Sequence, residues 1–164
     1  MKQKIIWVAL ALLLPGMAWA ADKPTTETVK SVLNYYHTGQ EVILLESKLC
    51  TEIIKDGENK NECSGELSTQ QVSKGQKVFL WMNYFIPGDT IEKATVLMQF
   101  SRKGKVFNSR ELSMPQSIRY RTWRLLSTRK TGDWSVNIEQ EQENGYLSLG
   151  TVNYSVVEAA ATME

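Results

Sequence analysis

The sequence predicts an all-β fold, an antiparallel sandwich of about seven strands preceded by one N-terminal amphipathic helix. From residue 42 onward, apolar residues recur mainly at every second position, which is the period of a β-strand. Turn-forming Gly, Pro, Asn and Asp separate these runs at intervals of roughly 8–12 residues, as in sandwiches. The 164-residue chain is 42% hydrophobic and 23% charged. This composition is typical of globular domains and argues against disordered or multi-span membrane proteins.

The first twenty residues have the pattern of a secretory signal peptide. Lys2 and Lys4 precede an apolar run over residues 5–14, which is too short to span a bilayer. An A-x-A box from Ala18 to Ala20 follows. We expect cleavage after Ala20, no transmembrane span in the mature chain, and a periplasmic or secreted location; an uncleaved membrane anchor is the alternative.

The mature chain divides into an N-terminal segment with a helix over 21–40, a sandwich domain over 41–158 and a tail over 159–164. The helix is predicted by an apolar stripe at i, i+3, i+4 and i+7, formed by Val29, Val32, Leu33 and Tyr36. Thr25 favours its start and Gly39 its end.

Seven runs are predicted as strands, over 42–50, 77–86, 94–100, 105–112, 118–126, 133–140 and 146–157. The run over 105–112 alternates poorly and carries charge, which indicates an edge strand. In the last run the inward-facing set shifts phase at Gly150 and Thr151, which predicts a β-bulge there.

The run over 77–86 is apolar on both faces, whereas a sandwich strand normally has one solvated face. Phe79, Trp81 and Phe85 share the second face. We expect the N-terminal helix to cover this face. The alternative is an exposed aromatic patch that serves as an interface with a partner.

Cys50 and Cys63 are the two cysteines of the chain. In an exported protein such a pair is most simply a structural disulfide. In the chain-entropy model a loop of this length stabilises by about 3 kcal/mol. Asp56 and Gly57 indicate a turn in the polar loop between the cysteines. A redox pair would need close C-x-x-C spacing, which this sequence does not have.

Two motifs resemble a bacterial family of domains of unknown function. They are R-x-R-T-W, at residues 119–123, and G-x-W-x-V, at residues 132–136, with an aromatic strand over 78–82 upstream. The similarity extends from about Glu41 to Val157. It implies an immunoglobulin-like fold in a secreted or membrane-tethered accessory domain, and it implies no activity.

Charge is unevenly distributed along the chain. The full sequence has 19 Lys and Arg and 18 Asp and Glu; removing Lys2 and Lys4 leaves 19 − 2 = 17 basic residues, so the mature chain carries a net charge of −1. This balance argues against a nucleic-acid partner. Residues 93–130, however, contain ten basic groups and a single acid.

These basic residues have two interpretations: neutralisation by acidic strands across the sheet, or an anion-binding patch. We predict that Arg119, Tyr120 and Arg124 bind a ligand. Arg121 shares the strand face of Trp123, so we expect it to be partly buried with a carboxylate partner.

The sequence does not indicate a catalytic centre. One histidine and no free cysteine leave no nucleophile pair, and no zinc ligand set or phosphate loop is present, so no metal or cofactor is expected. We therefore expect an exported, non-catalytic binding or accessory module of the bacterial envelope, with an anionic glycan or envelope protein as partner. The alternatives are a structural assembly subunit and an envelope hydrolase that uses carboxylates among Glu139, Glu141 and Glu143.

Overall fold

A computed structural model describes residues 25, 27–29, 31–32, 41–87 and 94–159. Nine strands account for about two thirds of the described residues: β1 (Ile43–Ile53), β2 (Cys63–Glu66), β3 (Gln71–Ser73), β4 (Phe79–Ile86), β5 (Ala94–Arg102), β6 (Lys105–Met114), β7 (Ser117–Leu125), β8 (Gly132–Gln142) and β9 (Gly145–Val157). They form two sheets, which confirms the predicted all-β sandwich.

The strand order is β2-β1-β4-β7 in the first sheet and β3-β9-β8-β5-β6 in the second. All seven predicted strands are present, and β2 and β3 are additional. These two contain four and three residues, too few to show an alternating pattern. The seven predicted strands pair antiparallel, whereas the additional strand β3 pairs with β9 in parallel.

Residues 27–29 and 31–32 are helical. The Thr25 hydroxyl accepts a hydrogen bond from the Thr28 backbone N–H at 3.2 Å, so Thr25 caps this helix as predicted. Leu33, Tyr36 and Gly39 lie outside the described residues, as do the predicted signal peptide and the tail beyond Ala159.

The main core lies between the two sheets. Leu80, Met82 and Tyr84 of β4 are fully buried there. They belong to one cluster with apolar side chains from the second sheet, among them Val96, Met98, Val136, Ile138 and Tyr154. This layer accounts for the alternation that the sequence shows in β5 and β8.

Two departures from regular pairing match the sequence pattern. β6 is an edge strand, as predicted, and most of its residues are exposed. In β9 the register with β8 shifts where Ile138 pairs with Gly150 and Glu139 with Ser148. Leu149 is therefore the extra residue of a bulge, next to the predicted position.

The second face of β4 is covered mainly by the disulfide region. Cys50 and Cys63 are bonded, with Cα atoms 5.8 Å apart, and the predicted disulfide is confirmed. With Ile53 and Trp123, the bond packs against Phe79 and Trp81 to form a second small core. The Trp81 indole N–H donates to the Asn61 backbone carbonyl at 2.6 Å, which draws the loop between the cysteines over the ring.

Phe79, Trp81 and Phe85 are 8%, 2% and 1% exposed. This burial contradicts the alternative of an exposed aromatic interface, because these side chains have almost no solvent-accessible area. The prediction that the N-terminal helix covers this face is also wrong at Phe79 and Trp81, because the disulfide region covers these two side chains. For Phe85 that cover stays a prediction, since most of the predicted helix lies outside the described residues.

Gly65 of β2 offers a test of the packing beside the disulfide. Its φ is +65°, and an added Cβ would collide with the Thr51 hydroxyl oxygen. We expect Gly65→Ala to lower the free energy of unfolding by at least about 1–2 kcal/mol, the backbone cost alone, as measured by urea denaturation. Gly57→Ala is the matched control, because Gly57 also has a positive φ but no neighbour within 4 Å of the added Cβ. Equal losses in the two variants would contradict the proposed collision.

Candidate functional site

The outer face of the first sheet carries an ion cluster around Glu62. One carboxylate oxygen of Glu62 accepts hydrogen bonds from Arg119 Nη2 at 2.7 Å and from Arg121 Nη1 at 2.5 Å. The side chain of Arg121 is 22% exposed and that of Arg119 is 57% exposed. The expected carboxylate partner of Arg121 is thus confirmed, and Arg119 shares it. This cluster ties the loop between the cysteines to β7.

The three residues predicted to bind a ligand do not form one surface. Arg119 lies on the outer face with Glu62. Tyr120 pairs in register with Tyr84 and packs against the main core. Arg124 pairs with Leu80 on the core side of β7. Because β7 is an edge strand, Arg124 reaches the open side of the sandwich. Among the predicted trio, only Arg124 lines the cleft described next.

A cleft of about 370 Å³ opens between β7, the edge of the first sheet, and β6, the edge of the second. Its walls come from β6, from the end of β7 and from the loop over 126–131, and Phe100 of β5 and Trp134 of β8 complete the lining. We call it the basic cleft and define it by Phe107, Asn108, Arg110, Arg124, Leu125, Ser127, Arg129, Lys130 and Trp134. The two sheet edges leave this side of the sandwich uncovered within the described part of the chain.

Four cations line the basic cleft, namely Arg110, Arg124, Arg129 and Lys130, and no acidic residue does. Some cations elsewhere have carboxylate partners: Lys48 pairs with Glu46 and Glu66, and Lys74 pairs with Glu158. Within the described ranges, none of the four cleft cations has a carboxylate oxygen within 4.0 Å. The cleft therefore carries a concentrated positive charge that the fold does not neutralise.

Arg110 points towards the cleft because it lies on the core side of an edge strand. It pairs with the buried Met98 of β5, and residues directly opposite in a sheet share one face. Among the described strands, none lies beyond this edge of the sheet to cover it. A charge on the inward face of an edge strand also hinders pairing with other chains, which is the structural explanation for Arg110.

Phe107 is placed at the cleft by a bulge in β6. Phe100 pairs with Asn108, and the next residue, Ser101, pairs with Val106, so Phe107 is left over. Its ring is 52% exposed. The Arg102 guanidinium lies 5.4 Å from the Phe107 ring centre and 5.5 Å from that of Trp134. This cation–π contact holds Phe107 against the sandwich while leaving half of its surface free.

The loop that carries Arg129 and Lys130 is fixed at several points. The Leu126 N–H donates to the Val78 carbonyl at 2.9 Å, and the Thr128 hydroxyl donates to the Gln76 carbonyl at 2.7 Å. The Trp134 indole N–H donates to the Lys130 carbonyl at 3.0 Å. These bonds hold the two cationic residues near Arg124 without a ligand, which lowers the entropic cost of binding.

Tyr154 supports the same loop from the core. Its hydroxyl donates to the Ser127 carbonyl at 3.2 Å. Burial raises the pKa of Tyr154 to about 12. The hydroxyl therefore stays protonated and keeps donating throughout the physiological pH range.

Sequence reasoning did not find Arg110 or Phe107. The inward position of Arg110 can be predicted in part from the sequence, because Arg110 lies two positions before Leu112 and side chains two apart in a strand share a face. Phe107 depends on a bulge that interrupts the alternation, which is also why the run over 105–112 alternates poorly.

The predicted carboxylates do not converge. β8 buries Trp134, Val136, Ile138 and Gln140 on its core side. Glu139 and Glu141 therefore lie on the outer face of the second sheet, and Glu143 lies in the turn after β8. None of the three lines the basic cleft or a second cleft of about 680 Å³ beside Thr51 and Lys77.

In the described part of the chain, no cluster of three or more His, Cys, Asp or Glu residues is arranged to hold a metal ion. Among the same residues, there is no helix whose length and apolar character would let it span a membrane.

No family model and no curated protein sequence matches the chain, so the resemblance noted above stays a prediction. Among solved structures, the chain is similar to one described as the crystal structure of the C-terminal domain of wzt. The TM-score is 0.48 and the identity 8%, over 74% of this chain and 77% of that chain.

Proposed function

We propose that this chain is a non-catalytic binding module that recognises an anionic ligand in the basic cleft. The observation that carries the proposal is the convergence of Arg110, Arg124, Arg129 and Lys130 on one cleft without a carboxylate partner among the described residues. Arginine forks bind carboxylate, sulfate and phosphate groups bidentately. The candidate ligands are an anionic glycan and an acidic segment of an envelope protein.

Because the whole chain is nearly neutral, the positive charge of the basic cleft is what would attract an anion. The formal net charge of the full sequence is +1, so a non-specific attraction of the whole molecule to polyanions is weak. Binding of an anion would instead depend on the few cations that the topology gathers at one side of the sandwich.

We also propose that the chain is exported, with the first twenty residues acting as a signal peptide. The Cys50–Cys63 bond supports this proposal, because structural disulfides persist in oxidising compartments and are rare in the cytosol.

The binding proposal is tested with polyphosphate, a polyanion with neither sugar rings nor peptide bonds. In an Arg110→Ala/Arg124→Ala variant, we expect the Kd for polyphosphate to rise at least about tenfold, because two charge-assisted contacts are lost. Isothermal titration calorimetry at low and high salt measures the Kd; the affinity of the parent should fall as salt rises.

Lys55→Ala/Lys77→Ala is the matched control. It removes the same charge from the larger cleft beside Thr51, on the outer side of the first sheet. We expect this variant to bind polyphosphate like the parent. Equal weakening in both double variants would show that only total charge matters and would overturn the proposal.

A further inference from the structure

We infer that the ligand of the basic cleft is an acidic saccharide, whose ring packs on Phe107 while its acidic groups bind the surrounding cations; this inference rests on the proposed anion-binding function. The cleft combines two kinds of surface that a simple anion would not use together. Phe107 and Leu125 are 52% and 58% exposed, and both line the cleft beside its four cations. A ligand that uses the whole cleft has both an apolar face and negative charge.

A pyranose ring with a carboxylate or sulfate group meets both requirements. One face of such a ring presents C–H groups, which pack against an aromatic ring, and its hydroxyls need polar partners around the edge. Asn108 and Ser127 supply an amide and a hydroxyl on opposite walls of the cleft. The Arg102 guanidinium, 5.4 Å from the Phe107 ring centre, holds that ring in place before a ligand arrives.

An acidic peptide fits this cleft less well because β6 is unsuited to strand addition here. Extended peptides gain much of their affinity by pairing with a regular sheet edge. At the cleft the edge of β6 is interrupted by the bulge at Phe107, and Arg110 projects inward from the same strand. Both features block pairing with another strand. A ligand that needs no backbone pairing is therefore favoured.

The test compares three probes on the parent chain: hexagalacturonate, a hexaglutamate peptide and polyphosphate. We expect hexagalacturonate to bind at least about tenfold more tightly than hexaglutamate, because only the sugar adds ring packing to charge. Tighter binding of hexaglutamate would overturn the inference in favour of a peptide ligand.

Phe107→Ala separates ring packing from charge. We expect this variant to lose about tenfold in affinity for hexagalacturonate and to keep the parental affinity for polyphosphate. Phe107→Tyr, which retains the ring, should bind hexagalacturonate like the parent. Val106→Ala is the matched control, because Val106 is 50% exposed on the same strand but does not line the cleft.

The outcomes distinguish the inference from the function on which it rests. If Phe107→Ala binds hexagalacturonate as tightly as the parent, the inference is wrong while the anion-binding function stands. If the parent binds neither polyphosphate nor hexagalacturonate, the proposed function itself fails. A selective loss for the sugar probe supports both.

Discussion

Trp81→Ala is expected to lower the free energy of unfolding by about 3–5 kcal/mol, which is the usual cost of removing a large buried aromatic side chain. Trp81 is 2% exposed and packs with Phe79 in the second core. Its indole N–H also donates to the Asn61 carbonyl at 2.6 Å. Chemical denaturation followed by circular dichroism measures the loss. An exposed interface residue would instead change the stability of the isolated chain by only a few tenths of a kcal/mol.

Trp81→Phe is the informative companion variant. It keeps an aromatic ring in the second core but cannot donate to Asn61. We expect it to recover more than half of the stability lost in Trp81→Ala, since a single hydrogen bond contributes about 1 kcal/mol. If both variants unfold at the parental denaturant concentration, Trp81 does not belong to the core.

Removing the disulfide in a Cys50→Ala/Cys63→Ala variant is expected to lower the free energy of unfolding by about 3 kcal/mol. The bond joins residues 13 positions apart and restricts the unfolded chain. In the folded state it also anchors the loop that carries Asn61 and Glu62, so both the Trp81 hydrogen bond and the arginine cluster are expected to loosen.

A reductant supplies the control for the disulfide prediction. Unfolding the parent in the presence of dithiothreitol should bring its stability close to that of the double variant, whereas the double variant should not respond. A loss below about 1 kcal/mol in the variant would contradict a stapling role for the bond.

Most of the fold can be predicted from the sequence, because long strands show a clear two-residue repeat of apolar side chains. The seven longer strands, the edge position of β6 and the bulge in β9 all follow from alternation of apolar residues. β2 and β3 are too short for that signal. The cover over Phe79 and Trp81 depends on a polar loop folding back, and its defining contact is a backbone carbonyl, which carries no sequence signature.

The candidate site is only partly readable. Side chains five positions apart in a strand face opposite sides of the sheet, so alternation alone places Arg119 and Arg124 on different faces. The prediction that they belong to one binding surface was wrong because it grouped them by nearness in sequence. Arg124 is the one member of the predicted trio that lines the basic cleft. Its partners Arg110 and Arg129 come from different segments, and they meet only because β6 and β7 are edges on the same side of the sandwich. That arrangement depends on the strand order of both sheets.

The parallel pairing of β3 with β9 bears on the order in which the parts of the chain fold. Gln71 pairs with Ser155, and the Lys74–Glu158 ion pair beside this pairing joins residues 84 positions apart. Until β9 is available, β3 has no strand to join. The second sheet can therefore be completed only when these two distant segments meet, which makes this stage of folding late and slow.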